Sequence, residues 1–502
     1  MKRRRIPTKA ELLKLQKTYR TDKKIGEALG GVPEYLVAYW RRKKGVPKHS
    51  FPKYSESQIR ELWERYGDDF HCGRELGISK AAFYRWRDIY GIKEKPQALK
   101  LEQLELSFGW ETKLGPNGSY VEYYQTAYQK ILARACGKQM VQPGDIIRIT
   151  PDLIILPVSL ASANLDPKIE QKCWWYKGNG FCKSDLPSGK SARLLNGVLD
   201  ILSKGQVKPN QLIATTFPEV NALGAYSAAV VNLDEKLASA ALEGQVELVV
   251  PPAIKVTISG RMQKDFSVVD LLGRFFKNFP PDSFKGMMIE FSGAGTEKLS
   301  GEEKMALCYM ARLAGAEGVF CLFDESTRKS LAQRTKVQDK IYFSDRKAHY
   351  ESQFHLNSVG LVNYVFPEGK IFISREAGNL SSIRPDTVFI GGPCGGTAGL
   401  LKSIADQARG RRLQKNVSCY ISALTQEDLS EGIKKKSIQT LVDYGCQLLP
   451  VGMSLNDFLK IVNVKGTVLS VPDFSPLKND DLKLIFCSGE TAIAAAASGK
   501  AD

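Results

Sequence analysis

Between residues 56 and 66 the apolar side chains fall at Ile59, Leu62, Trp63 and Tyr66, the spacing of one helical face. A shorter helix is predicted over residues 69–76. The pair Gly77-Ile78 supplies a turn, because glycine reaches the left-handed conformation such a turn needs. Ser79 is placed to cap a third helix over residues 80–90, whose inner face carries Ala82, Phe83 and Trp86. The same arrangement stands at residues 12–46. Leu15, Tyr19, Asp22, Gly26, Leu29 and Gly30 recur 47 residues later, and Trp40, Arg41, Gly45 and Val46 recur 46 later, the last as Ile92. Two copies of a three-helix unit with a turn before the third helix form a tandem helix-turn-helix pattern. From Tyr120 onward the pattern changes. Short apolar runs at residues 146–149, 153–158, 247–250, 254–258, 286–291 and 387–390 alternate with helical stretches at 269–279, 301–314 and 399–410. That alternation predicts an α/β body of sheets flanked by helices. The chain therefore divides into repeats at 1–48 and 49–96, a linker at 97–119, and body segments at 120–345 and 346–502.

Charge sharpens the contrast between the two parts. Residues 1–100 hold 25 Lys/Arg against 12 Asp/Glu, so the rest of the chain carries only +4 of the net +17. A basic helix-turn-helix pair points to a nucleic-acid face on the third helices. The candidate DNA-contacting residues are Tyr35, Tyr39, Arg41 and Arg42 in the first copy and Lys80, Tyr84, Arg85 and Arg87 in the second. Arginine can grip guanine with two hydrogen bonds, and tyrosine or lysine can reach phosphates. Trp40 and Trp86 are core residues by their place in the repeat.

Composition excludes several classes. Hydrophobic residues at 43% and charged residues at 25% describe an ordinary globular chain. No apolar run reaches the length of a membrane span, and the basic start Met1–Pro7 is not followed by the apolar stretch of a signal peptide. Ten scattered cysteines without a CxxC point to reduced thiols and a cytoplasmic protein. The nine-residue spacing of Cys173 and Cys182 matches no zinc pattern, and His349 and His355 lack a clustered third ligand, so no metal site is expected.

Several segments of the body resemble the large subunit of the aconitase superfamily, of the 3-isopropylmalate dehydratase type. These are "TAYQKILARACGKQMVQPGDIIRITPDLIIL" at 126–156, "QVKPNQLIATTFPEVNALGAYSAAV" at 206–230, "MMIEFSGAGTEKLSGEEKMALCYMARLAGAEGVFCLFDEST" at 287–327 and "ETAIAAAASGKAD" at 490–502. The resemblance implies three three-layer α/β/α domains around a cleft over residues 120–502. It also implies a [4Fe–4S] cluster held by one cysteine of an "IGSCTNG" loop and two of a CxxC.

The chain departs from that pattern where the family's chemistry resides. The first loop reads Ile390-Gly391-Gly392-Pro393-Cys394-Gly395-Gly396, with Pro393 at the cysteine position and Cys394 one residue late. The second region, residues 445–454, has no CxxC. The Asp-Ser-His-Thr motif is replaced by Ala214-Thr215-Thr216-Phe217, and the substrate loop by Val471-Pro472-Asp473-Phe474. No histidine lies between residues 72 and 348, where the family's acid–base histidines fall. The expectation is therefore a cluster-free, catalytically inactive body serving a DNA-binding transcriptional regulator as ligand sensor or scaffold. The partners expected with it are double-stranded DNA, a small di- or tricarboxylate, and a protein partner or second copy, with no membrane. The ligand would meet backbone N–H groups of the Gly391–Gly399 loop at a helix start, lined by Gly391, Gly392, Cys394, Gly395, Gly396 and Thr397 together with Thr215 and Thr216. The alternatives are a superfamily hydro-lyase or isomerase with altered chemistry or a partner-completed site, and a structural subunit.

Overall fold

A computed structural model describes residues 6–92 and 113–498, apart from 20, 49–53, 67–68, 77, 115–119, 122–123, 162–164, 177–192, 196, 333, 336–340, 381–383, 463 and 474–481. Gly77, Cys182, Phe474 and most of the expected linker lie outside the described residues. The chain forms two compact units, Met1–Trp110 and Glu111–Asp502.

The first unit consists of the two predicted three-helix modules. Helices Lys9–Tyr19, Asp22–Ala28 and Glu34–Lys43 close around Leu12, Ile25, Val37, Trp40 and Val46. Helices Glu56–Tyr66, Asp69–Glu75 and Lys80–Ile89 close around Ile59, Trp63, Cys72, Phe83 and Ile92. The hydroxyls of Thr21 and Ser79 accept from the N–H groups of Lys24 and Ala82, so the second helix of one copy and the third of the other start on side-chain caps. The repeated glycine is steric in origin. A Cβ on Gly26 would lie 2.0 Å from the Val32 carbonyl oxygen, and one on Gly73 2.8 Å from that of Ile78.

The second unit carries three main sheets. A five-stranded parallel sheet runs Leu194–Leu195, Cys173–Tyr176, Leu153–Pro157, Leu212–Thr215, Ala229–Asn232. A four-stranded parallel sheet runs Gly318–Cys321, Met288–Ser292, Ala253–Ser259, Ser352–Asn357. The strand at 352–357 therefore joins this second sheet, beyond the segment boundary expected at 345/346. The third sheet has seven strands, Arg375–Glu376, Tyr364–Pro367, Leu482–Cys487, Gly466–Ser470, Thr387–Ile390, Ser418–Ile421 and Cys446–Leu448. Its last five strands are parallel and its first two antiparallel. Strands Leu212–Thr215, Met288–Ser292 and Thr387–Ile390 are buried along their whole length. That explains why they read as unbroken apolar runs rather than alternating ones.

Helix Gly301–Leu313 lies at the centre of the unit, and almost its whole surface is buried. Ser300 and Glu303 form a reciprocal cap at its start. Its fully buried Lys304 is held by Asp324 at 2.6 Å and by the hydroxyls of Ser326 and Thr327, so the charge is paired rather than stranded. Among the described residues no helix is long and apolar enough to cross a membrane.

Candidate functional site

The central helix joins the first sheet to the third where parallel strands end. The five-stranded sheet delivers Tyr176 and Thr215 at the carboxyl ends of two strands, followed by Phe217 and the 3-10 turn Pro218–Tyr226. The seven-stranded sheet delivers Gly391 and Ser422 at strand ends, and Asp473 beyond a third. Open α/β sheets place their ligands at such ends. Tyr309 of the central helix donates to Asp473 Oδ1 at 2.6 Å, and the Leu455 N–H donates to Asp473 Oδ2 at 2.8 Å. The Phe217 ring meets Tyr176 edge-on at 5.3 Å.

Glu219 is the chemically unusual group here. Its Oε2 is buried and has no hydrogen-bond partner. Burial, then the nearby charges of Asp473 and Asp457, push its carboxyl up to about 7. A carboxyl in that condition can hold or release a proton near neutral pH. The sequence reading passed over it, since one Glu after a Phe-Pro pair carries no pattern. The available signal was its position two residues beyond the segment that replaces the family motif.

The residues expected to hold a ligand are packed differently from the expectation. Thr215 is buried, and its hydroxyl accepts from the Phe217 N–H; Thr216 is half-buried. Gly391, Gly392, Cys394, Gly395, Gly396 and Thr397 form a joint between sheet and helix. A Cβ on Gly396 would lie 2.7 Å from the Ser422 carbonyl oxygen, and the Gly396 N–H already donates to Gly392. The N–H donors expected to be free at the following helix, Ala398–Ala408, are taken. Ala398 donates to Asp428 Oδ1 at 2.9 Å and Gly399 to Glu302. The protein's own carboxylates thus stand where a ligand carboxylate was expected.

The thiols do not fit an iron–sulfur cluster. Cys394 is buried, its thiol points at the Ala306 carbonyl oxygen at 3.8 Å, and burial pushes it well above the ordinary range. Cys446 sits inside strand Cys446–Leu448 and donates to Cys419 of the neighbouring strand at 3.1 Å. A cluster needs three converging thiolates, and these loops offer one inward thiol held in its protonated form. Among the described residues no three His, Cys, Asp or Glu side chains are arranged as metal ligands. His349 and His355 are exposed, and His355 lies on an edge strand of the second sheet.

In the helical unit the structure separates the eight candidate contacts into two groups. Tyr35, Tyr39, Arg42, Lys80, Tyr84 and Arg85 are exposed. Arg41 and Arg87 are not available for a partner. Arg41 pairs with Asp22 through Nε and Nη2 at 3.1 Å each and caps the Val46 carbonyl at 3.0 Å. Arg87 pairs with Asp69 at 2.9 and 3.1 Å, caps the Ile92 carbonyl at 2.6 Å and lies over the Trp63 ring. The Asp–Arg pair recurs in both copies, so it marks a structural clamp in each.

Comparison with known proteins bears on the second unit. Residues 215–365 match the Aconitase family (aconitate hydratase). The chain is aconitase-like. A 3-isopropylmalate dehydratase large subunit from Heliobacterium modesticaldum is 27% identical over 355 residues, covering 64% of this chain and 83% of that protein. One from Sulfurimonas denitrificans is 29% identical over 251 residues, 48% and 59% of the two chains. One from Caldicellulosiruptor bescii is 26% identical over 356 residues, 64% and 82%. These relatives correct the functional expectation. Relatives consistently named dehydratases point to a hydro-lyase, against a DNA-binding transcriptional regulator with an inactive body. The non-enzyme reading rested on the missing histidines and cysteines, and took no account of a carboxyl such as Glu219.

Proposed function

We propose that the aconitase-like chain is an enzyme of the hydro-lyase or isomerase type, acting on a small hydroxy di- or tricarboxylic acid with chemistry altered from its relatives. The observation that carries this reading is the buried, unpartnered Glu219 oxygen where strand ends of two sheets meet. Removing water from a hydroxy acid requires a proton taken from carbon and a proton given to the departing hydroxyl. Protonated Glu219 can give the second, and ionised Glu219 can take a proton from water in the reverse direction; the base that accepts the carbon proton is assigned to the partner chain that completes the site. No step is assigned to an iron–sulfur cluster, because the thiols do not converge.

A partner chain completes the site in this proposal. The two charges that act on the Glu219 carboxyl are those of Asp473 and Asp457, with no cation beside them among the described residues, so an acidic substrate is proposed to take its counter-charge from the partner chain. The relatives are named large subunits, which supports a second chain as its source. A cytoplasmic location fits the nine described cysteines, all free thiols.

The test combines the full chain with the small subunit of a 3-isopropylmalate dehydratase. Formation of the unsaturated acid from 3-isopropylmalate, citrate and related acids is followed by ultraviolet absorbance. Turnover is expected, and Glu219→Gln should reduce it by about 10²–10⁴-fold, the usual contribution of a positioned acid or base. Absence of turnover with every acid, with and without the subunit, overturns the proposal.

A further inference from the structure

A cavity lies at the C-terminal end of helix Ala398–Ala408, away from Glu219. Its volume is about 640 Å³, ample for a small molecule. One wall is the face of helix Gly489–Ser498 that presents Glu490, Thr491, Ala494 and Ala497. The lining also carries Arg411 and Arg412, just beyond the C-terminus of helix Ala398–Ala408. Both arginines are exposed, and neither has an ion-pair partner among the described residues. In the same lining, Asn363 Oδ1 is buried without a hydrogen-bond partner. The Glu490 carboxyl is buried too, and accepts from Ser403 through Oε1. Asp265, held by Gln407 at 3.1 Å, adds a further acceptor at the edge.

The lining is thus divided by charge and by hydrogen-bond sense. Each of the two guanidinium groups can grip a planar oxyanion with two hydrogen bonds. The same lining holds the carboxylates of Glu490 and Asp265 and the buried, unpartnered amide oxygen of Asn363. A simple anion satisfies the arginines and leaves Asn363 unsatisfied, whereas a simple amine does the reverse. We infer that this cavity binds a free amino acid, its carboxylate on Arg411 and Arg412 and its ammonium on Asn363 and Glu490. The side chain lies along Ala494 and Ala497, where the small residues leave room, and ordered water occupies the remaining volume. The inference does not depend on the catalytic reading of Glu219. Through Ser403, which bonds Glu490 one side and belongs to helix Ala398–Ala408, a ligand here reaches the helix that begins at the Gly391–Thr397 joint.

The experiment is calorimetry and thermal shift on the full chain with a panel of the free amino acids. For each hit, the deaminated acid and the decarboxylated amine are run as controls, with phosphate and citrate alongside. At least one amino acid is expected to bind at or below millimolar concentration, at least tenfold more tightly than either of its controls. Arg411→Ala/Arg412→Ala and, separately, Asn363→Leu should each weaken binding at least tenfold. The arginines are exposed, so the double variant should melt at the wild-type temperature without ligand. Equal binding of the deaminated acid, phosphate or citrate marks a plain anion site and overturns the inference. So does the absence of any amino-acid binding at millimolar concentration.

Discussion

Arg41 and Glu219 show how burial decides the role of a charged side chain. The Arg41–Asp22 pair is almost fully buried, at 8% and 7% side-chain exposure. Removing one partner leaves the other charge uncompensated, which typically costs about 3–5 kcal/mol. Arg41→Ala should therefore unfold the first helical module at lower denaturant, while exposed Arg42→Ala should stay within about 0.5 kcal/mol of wild type; chemical denaturation monitored by tryptophan fluorescence distinguishes them. Glu219 has the opposite character, a carboxyl favoured in its protonated form. Its ordinary value is 4.5 and the folded value about 7. Below pH 4.5 both states hold the proton and the burial carries no charge penalty. Between 4.5 and 7 the unfolded chain releases its proton first, so stability falls as pH rises, and the loss is complete above 7. The shift corresponds to a loss on the order of 3 kcal/mol. Asp270, pushed from 3.8 to about 7 by burial, acts in the same direction. Glu219→Gln should flatten its share of that slope and melt above wild type at pH 8, as read by melting temperature across pH 4–8.

Helix Ala398–Ala408 shows how an element is finished by distant side chains. Its N-cap Thr397 makes no side-chain cap, and Asp428 and Glu302 supply acceptors to the first N–H groups instead. Asp428→Ala should cost about 1–2 kcal/mol through an unsatisfied helix terminus, measured by urea unfolding. This is also where sequence reading stopped short. A glycine loop before a helix is legible as a place for an anion, but the two carboxylates that fill it come from 30 and 97 residues away. The strands read well because apolar runs such as 387–390 are set by local burial. The three-helix modules read well because their repeat doubled every signal. The same repeat held the Asp22–Arg41 and Asp69–Arg87 pairs, yet an arginine on a third helix is equally compatible with a ladder to DNA or a clamp within the module. Only the third dimension separates the two. Glu219 was illegible for a related reason: its neighbours Asp457 and Asp473 lie more than two hundred residues away in sequence.

At the level of the whole molecule, an aconitase-like α/β unit is present, and the thiols of the two loops expected to hold a cluster make contacts of their own. Cys394 faces a backbone carbonyl, and Cys446 faces Cys419 within a sheet. Protein purified without oxygen should be colourless and contain no stoichiometric iron or sulfide; a broad visible band with both present would contradict the cluster-free proposal. In the proposal the general-acid step then falls to Glu219, and the pH–rate profile examines that assignment most directly. With the small subunit present and no iron added, kcat/KM for the turned-over hydroxy acid should inflect near pH 7, reporting the free enzyme's carboxyl. In Glu219→Gln the inflection should vanish together with most of the rate. Turnover that depends on added iron and sulfide, or a Glu219→Gln variant with wild-type rate and profile, contradicts the role given to this residue.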